Sequence, residues 1–541
     1  MADGEVLVDP NGDLAPAIRE NQSLFASQFS KIRREARRQL ISAAVDYSAG
    51  DSTSPKYPLS QQDFDPDNMR LFLTGHQPEL FHPGVWFKNY FLSSLAKWGN
   101  GIPVNLIIDS DQCKSSSIMV PTGSVKQPVL QPIAIDEFQQ SLPFENVPWR
   151  NIDYAKGFPH RVKKASGSLL GNESILNTYW NELDDLIQPD QPRGLAIARA
   201  RQRVEQRNGL NNLEVPVSKI CQEKPFFDFL EMVLKSPLEF QAIHNECLHR
   251  FRSVNRLRSK THPVPDLAKS DDWVETPFWI WSLEIQERRP LYAKAAGNRV
   301  HLTDLDGIHI KLEKERLSEQ LLECGGSINA TAQKPEHLSS VSIRPRALTT
   351  TLFVRLFIAD VFVHGIGGAK YDALTDDIIT RYFGVTPPNF ITATSTNQLP
   401  FCLPLPADDE IKTINEQIRK TQVKPELCYR ELEANTAKSG VASQYPSDWL
   451  QWAQKKAGLL SSVPQEGGRK TWHHEIQSLN SRLSEGLTWL RDDLIGKREM
   501  LQRQQDAFRL LKSREFSFVL HPQDLITKLG ESATKVFSQC D

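Results

Sequence analysis

The sequence predicts an α/β chain built on a parallel sheet, interrupted by an inserted segment and followed by an antiparallel helical hairpin with coiled-coil spacing. Three observations carry this. Residues 70–98 read as strand, loop and helix, and the apolar run 103–108 completes a β-α-β unit, which requires a parallel sheet. A second strand-loop-helix pattern returns at residue 341. Beyond Pro406, Ile411, Ile414 and Ile418, and later Ile476, Leu479, Leu483, Leu487, Leu490, Leu494, Leu501, Phe508 and Leu511, recur mostly in steps of three, four and seven.

Taken in order, residues 1–69 form an N-terminal helical arm. Leu24, Phe25, Phe29, Ile32, Leu40 and Ile41 recur at helical spacing over residues 18–48, with Lys31, Arg33, Arg34, Arg37 and Arg38 between them. That basic face suits an anionic partner or, as charge runs usually do, a solvated surface. Residues 70–144 make the first half of the core. Residues 145–340 are the insertion, with helical stretches at 180–187, 195–207 and 226–251 and a hairpin over 300–312. Its aromatic run at 273–281 reads as core, with a pocket lining as the alternative. Residues 341–405 form the second half of the core. There 349–368 reads as one core helix broken by Arg355, Asp360 and His364, which argues against a membrane span. Helix 371–383 stops at Gly384, and 389–394 is a last strand. The hairpin occupies 406–515, its arms joined through 445–468, and 516–541 returns to the body.

Composition narrows the function. With 541 residues, 64 Lys and Arg against 66 Asp and Glu, and a net charge of −2, the surface is not one that wraps nucleic acid or anionic lipid. Seven scattered cysteines without a C-x-x-C, and an acidic N-terminus without an apolar leader, lead us to expect a reducing, cytoplasmic location.

The loop T-G-H-Q-P-E-L-F-H-P-G, residues 74–84, places His76, His82 and Gln77 at a strand-to-helix connection, where free helix N–H groups hold phosphate or carboxylate. The sequence His82-Pro83-Gly84-Val85 is similar to the H-x-G-H signature of nucleotidyltransferases, but Val85 replaces the second histidine and no K-M-S-K-S follows. Neither G-x-x-x-x-G-K-[ST] nor G-x-G-x-x-G occurs. Asp109 and Asp111 end the second strand and can bind an amine, with capping as the structural alternative and metal only weakly signalled. Arg344 can clamp an anion or pair with Asp360 or another core acid. Gly367 and Gly368 allow a ligand close to the backbone, and Lys370 adds positive charge.

Residues 74–81 resemble the T-G-Q-Q-A-G-L-F loop of the bacillithiol biosynthesis cysteine-adding enzyme family, keeping five of eight residues. The apolar strand ending at Asp109 and Asp111 is similar to that family's strand ending in E-D-H-D. Arg344-Pro345, a helix and then Gly367-Gly368 resemble its R-P, helix and G-G-P-x-E-I-x-Y, with Tyr371 where the family has an acid.

The resemblance implies a Rossmann-like core, a coiled-coil arm supporting a homodimer, and addition of cysteine to glucosaminyl malate; we expect a ligase-like or transferase-like reaction joining an amine or thiol-amino acid to a small anionic, sugar- or nucleotide-derived acceptor. In that reading His76, His82, Asp109 and Asp111 are catalytic, while Thr74, Gly75, Gln77, Arg344, Gly367, Gly368, Lys370 and Tyr371 bind substrate. A nucleotide is the one cofactor considered, and no metal, nucleic-acid or membrane partner is expected. The alternative is a non-catalytic dimeric small-molecule-binding or scaffold protein that uses the same cleft.

Overall fold

The computed structural model describes residues 2–24, 29–49, 64–137, 142–171, 173–259, 261–262, 264–282, 287–323, 341–403, 408–428, 446–464 and 467–538. Phe25, Cys324, Cys540, most of the Pro- and Ser-rich stretch 52–66 and part of the 445–468 connection lie outside them. Two compact units result. One comprises Met1–Val120, Gln131–Leu399 and Arg514–Asp541, and the other Pro121–Leu130 and Pro400–Ser513.

The strands, in chain order, begin with β1 (Val6–Asp9), β2 (Arg70–His76), β3 (Gly101–Ile107), β4 (Ser117–Ser124), β5 (Gln127–Ala134), β6 (Leu213–Pro216) and β7 (Lys269–Ser270). They continue with β8 (Trp273–Ser282), β9 (Arg289–Ala296), β10 (Arg299–Thr303), β11 (His309–Glu313), β12 (Val341–Pro345), β13 (Val361–His364) and β14 (Phe390–Ser395). The first unit is mixed α/β, and its main sheet has the order β1-β14-β13-β2-β3-β6. All neighbours in it are parallel except the edge pair β1 and β14. Leu71, Phe72, Leu73, Val104 and Leu106 are fully buried, as expected of parallel strands covered on both faces. Pro103 sits in β3 just before β6 begins its pairing at Val104, so its missing N–H costs no ladder bond on that side. Among the parallel strands, β2 comes first in sequence, and the order runs outward in opposite directions from β2 and β13. That is where a parallel sheet opens a crevice at its carboxyl ends.

Several elements differ from the sequence reading. Residues 18–48 form two helices, Ala15–Leu24 and Ser30–Ala49, and the basic face of the second turns partly inward. Arg33 and Arg37 are buried, each paired with Asp360, and they donate to the carbonyls of Ala359 and Ile358. The stretch 349–368 is not one helix. Ala347–Phe357 is helical, β13 follows as a buried strand of the main sheet, and a new helix, Ile366–Ile378, starts after Gly365. A short apolar run has no periodicity that separates a buried strand from a buried helix. The insertion contributes β6 to the main sheet, and its 226–251 segment is two helices, Lys224–Leu234 and Pro237–Val254, parted at Pro237, whose ring suits a helix start.

β12, taken from sequence as a core strand, instead pairs antiparallel with β8 in a second sheet ordered β11-β10-β9-β8-β12. Phe278, Ile280 and Trp281 on β8 are buried core, as the aromatic run suggested. Trp279 lies between the guanidinium groups of Arg288 and Arg346, at 4.3 and 4.0 Å. The 3-10 turn Phe518–Leu520 is buried, and the following helix, Leu525–Phe537, packs Phe537 against Phe91 of helix Pro83–Trp98.

In the second unit, helix Asp408–Val423 lies antiparallel to Thr488–Leu511, with Lys497 paired to Glu410. Trp449–Ser461, placed by sequence in the connection, is itself a helix. Its Lys456 reaches Glu426 and Asn480, and the Trp449 indole donates to the Leu483 carbonyl.

Candidate functional site

A crevice of about 640 Å³ opens at the carboxyl ends of β2 and β13, where the strand order reverses. The first turns of three helices line it: Gly84 and Val85 of Pro83–Trp98, Ala347 and Leu348 of Ala347–Phe357, and Ile366 to Gly368 of Ile366–Ile378. First-turn N–H groups have no intrahelical partner, and the helix dipole makes that end positive. In the last helix the first such bond runs from Ala369 N–H to the Gly365 carbonyl, which leaves the three preceding N–H groups outside the ladder. Ile108, Phe362, Leu348 and Tyr371 supply an apolar part of the wall.

Local chemistry explains the shape. Pro83 starts its helix, and the Gly84 N–H donates to His82 Nδ1 at 3.1 Å, so His82 is the N-cap. A β-carbon on Gly84 would stand 2.5 Å from the Ser395 carbonyl oxygen, so only glycine lets this helix approach β14. One on Gly368 would stand 2.8 Å from His364 Nδ1. Burial lowers the His82 pKa, against the nearby Glu515 carboxylate, which lies 3.7 Å from Nε2.

Lys88 also lines the crevice. It is 6% exposed, its Nζ donates to the Gly75 carbonyl at 2.6 Å, and it makes no ion pair among the described residues. Burial, then the charge of Arg201, lowers its pKa to about 7. Arg514 lines the crevice too, donating to the hydroxyls of Thr394 and Thr396 at 3.0 and 3.2 Å.

His364 ends β13 with Nε2 2.7 Å from Asp372 Oδ2, and Arg355 holds the same oxygen at 2.7 Å. Although burial works against the charged form, His364 and Arg355 hold the Asp372 pKa below its usual range. Lys88, His364, Asp372 and Arg514 were missed from sequence. A lysine inside the apolar run V-W-F-K-N-Y-F was the available signal for the first. Reading V-F-V-H as a strand would have placed His364 at a sheet end. Nothing local marks Arg514 or Asp372.

Of the residues singled out by sequence, Gly75, His76, Gln77, His82, Gly367, Gly368 and Tyr371 line this crevice. The others do not, and the site expected between His76, Asp109 and Arg344 is not one hollow. Thr74 is buried and donates to the Val363 carbonyl, tying β2 to β13. Arg344 is buried against Glu145, with bonds of 3.0 and 2.9 Å, so the core-acid alternative holds, with Glu145 rather than Asp360 as partner. Asp111 is taken by Gln77 and Arg288, at 3.0 and 2.9 Å. Lys370 is exposed on the outer side of its helix turn and lines no part of the crevice. Among the described residues no group of three or more His, Cys, Asp or Glu side chains could hold a metal ion, and no helix is long and apolar enough to cross a membrane.

Asp109 is fully buried and receives the Ser218 N–H and hydroxyl at 2.9 and 2.5 Å, capping the short helix Val217–Ile220. Burial, then the Glu145 charge, pushes its pKa from 3.8 up to about 7, against the Ser218 bonds and Arg344. Between those two values the folded chain keeps a proton that the unfolded chain releases, so stability falls as pH rises through the window. The variant Asp109→Asn, which never ionises there, is expected to lose most of that fall. Urea midpoints compared at about pH 4.5 and 7.5 check it, and an undiminished pH dependence would refute the assignment.

The chain matches no protein-family model, and no curated protein matches it significantly.

Proposed function

We propose that this chain holds a small anionic substrate in the crevice between β2 and β13 and acts there as a ligase or transferase of the cysteine-adding type, joining an amine to a sugar- or nucleotide-derived acceptor. The single observation that carries the anion is Lys88, a buried amine that makes no ion pair among the described residues and lines the crevice together with three helix first turns. A ligand phosphate or carboxylate supplies the missing charge. His364 is the group for proton transfer in this reading, because its ring lines the crevice and its Nε2 stands 2.7 Å from Asp372 Oδ2. Asp109 and Arg344, each spent on a partner within the fold, are left with structural roles.

The core is read as Rossmann-like on its strand order, and the apolar wall beside the helix first turns suits a nucleotide or sugar ring. The second unit, whose stripe over 476–511 is divided between helices Arg469–Glu485 and Thr488–Leu511, is read as an antiparallel coiled-coil arm supporting a homodimer, on the heptad-like spacing and the pairing of its helices.

One observation favours a second reading, a non-catalytic binding protein: the acids expected to receive the amine, Asp109 and Asp111, are both occupied. Thermal-shift screening with nucleotides, sugar phosphates and amino sugars, followed by mass spectrometry of mixtures containing cysteine, separates the two. Stabilisation together with a condensed product is the expected result. Stabilisation without product selects the binding protein, and no stabilisation by any anion removes both.

A further inference from the structure

The charge class of the ligand follows from His76, on the premise that the crevice holds an anion. His76 ends β2, is buried, and its ring meets the edge of Phe81. Its Nε2 lies 3.3 Å from Asn89 Oδ1, and its Nδ1 lies 3.2 Å from the Gln77 carbonyl oxygen. Asn89 cannot offer its other end, because its Nδ2 donates to Glu205 Oε1 at 2.7 Å. Both ring nitrogens therefore face oxygens that have no proton to give. A neutral imidazole has one N–H and satisfies one of them, whereas the imidazolium satisfies both.

The surrounding charges set the opposite preference. Lys88 on helix Pro83–Trp98 and Arg201 on helix Arg193–Arg207 oppose a further cation. Burial does so more strongly, and together they hold the His76 pKa well below its usual value. Arg514 adds to the positive side of the crevice. The acids within reach are already committed: Glu205 and Glu214 to Arg201, Asp111 to Arg288, Asp372 to His364 and Arg355, and Glu515 beside His82 and Arg514. One negative charge brought in by a ligand answers Lys88, and a second is left to answer a proton on His76.

We propose that the crevice is built for a doubly charged phosphoryl group, and that binding it protonates His76, whose imidazolium then bridges Asn89 and the Gln77 carbonyl. The proton comes from bulk water. A singly charged carboxylate lacks the second charge and leaves His76 neutral.

Phenyl phosphate and benzoate share a ring and differ in charge near pH 7.5, since the second phosphoryl pKa is about 6. Isothermal titration calorimetry of each, in two buffers of different ionisation enthalpy, reads protons taken up per ligand bound. Lys88 titrates in the same crevice, so wild type is compared with His76→Gln. The expected result is that phenyl phosphate binds both proteins and that uptake is lower in the variant by roughly one proton. Benzoate should show no such difference. Equal uptake by the two proteins overturns the protonation of His76 while leaving the anion crevice standing, and failure of both probes to bind overturns the crevice itself. A second measurement needs no variant to fold. In wild type labelled with ¹⁵N-histidine, phenyl phosphate should move both nitrogens of one buried ring to protonated positions, and the absence of such a ring overturns the proposal.

Discussion

Replacing Lys88 with methionine is expected to weaken anion binding strongly and, at the same time, to make the unliganded protein more stable. Lys88 lies on the buried face of its helix, bonded to the Gly75 carbonyl and to no acid among the described residues. With a ligand present it is the buried partner of a charge-assisted contact. Truncating such a partner costs about 2–4 kcal/mol, or roughly 30- to 1,000-fold in Kd. Without ligand the same ammonium is a desolvated charge, and a methionine of similar length fills its space at no such cost.

The pH dependence has a definite sign. The unfolded chain keeps the Lys88 proton up to about 10.5 and the folded chain only to about 7, so stability climbs with pH between those values. Lys88→Met should lack that climb and gain most near neutral pH and below. Titration calorimetry with phenyl phosphate and urea melts at two pH values measure both halves. Retained affinity would show that the ligand's charge is answered elsewhere, and a destabilised variant would show that Lys88 has a counter-ion.

The largest loss of stability is expected from Arg201→Met. Arg201 is buried between Glu205 and Glu214, with bonds of 2.7 and 2.6 Å. Burial alone would lower its pKa, but the two carboxylates hold it above the ordinary value. Glu205 Oε1 also receives the indole of Trp86 and the amide of Asn89, and Glu214 receives Asn105, so the cluster joins helix Pro83–Trp98, helix Arg193–Arg207, β3 and β6. Removing the Arg201 guanidinium leaves two carboxylates in a dry interior, a loss of about 3–5 kcal/mol. The combined variant Arg201→Met, Glu205→Leu, Glu214→Leu should recover much of it, because no charge then remains unpaired. Urea midpoints of the two proteins decide. A midpoint unchanged in the single variant would mean that water reaches the cluster.

How far the sequence alone reaches can be judged residue by residue. The run ending at Thr74, the loop to Gly84 and the helix behind it were readable because Gly, Pro and an apolar period change mark each boundary. His76, His82, Gly75 and the Gly367-Gly368 pair were readable for the same reason, since chain ends of parallel strands are where ligands gather. Val341–Pro345 was misplaced because a run as short as Val341 to Ile343 carries no information about which strand it pairs with. β6 was unread because four residues, one of them Glu214, have too little pattern to stand out from a loop. Arg344, Asp109 and Asp111 looked like ligand groups because an ionisable side chain near a strand end reads the same in sequence whether its partner is a substrate or a buried acid.

The sequence by itself determined the alternation of strands and helices, the start of the crevice loop and the apolar stripe of the C-terminal helices, because each rests on periodicity and turn chemistry within a few residues. Only the tertiary structure decided which charges are free to work. Lys88 makes no ion pair among the described residues while Arg344 pairs with Glu145, 199 positions away in the chain, and no local pattern can encode that.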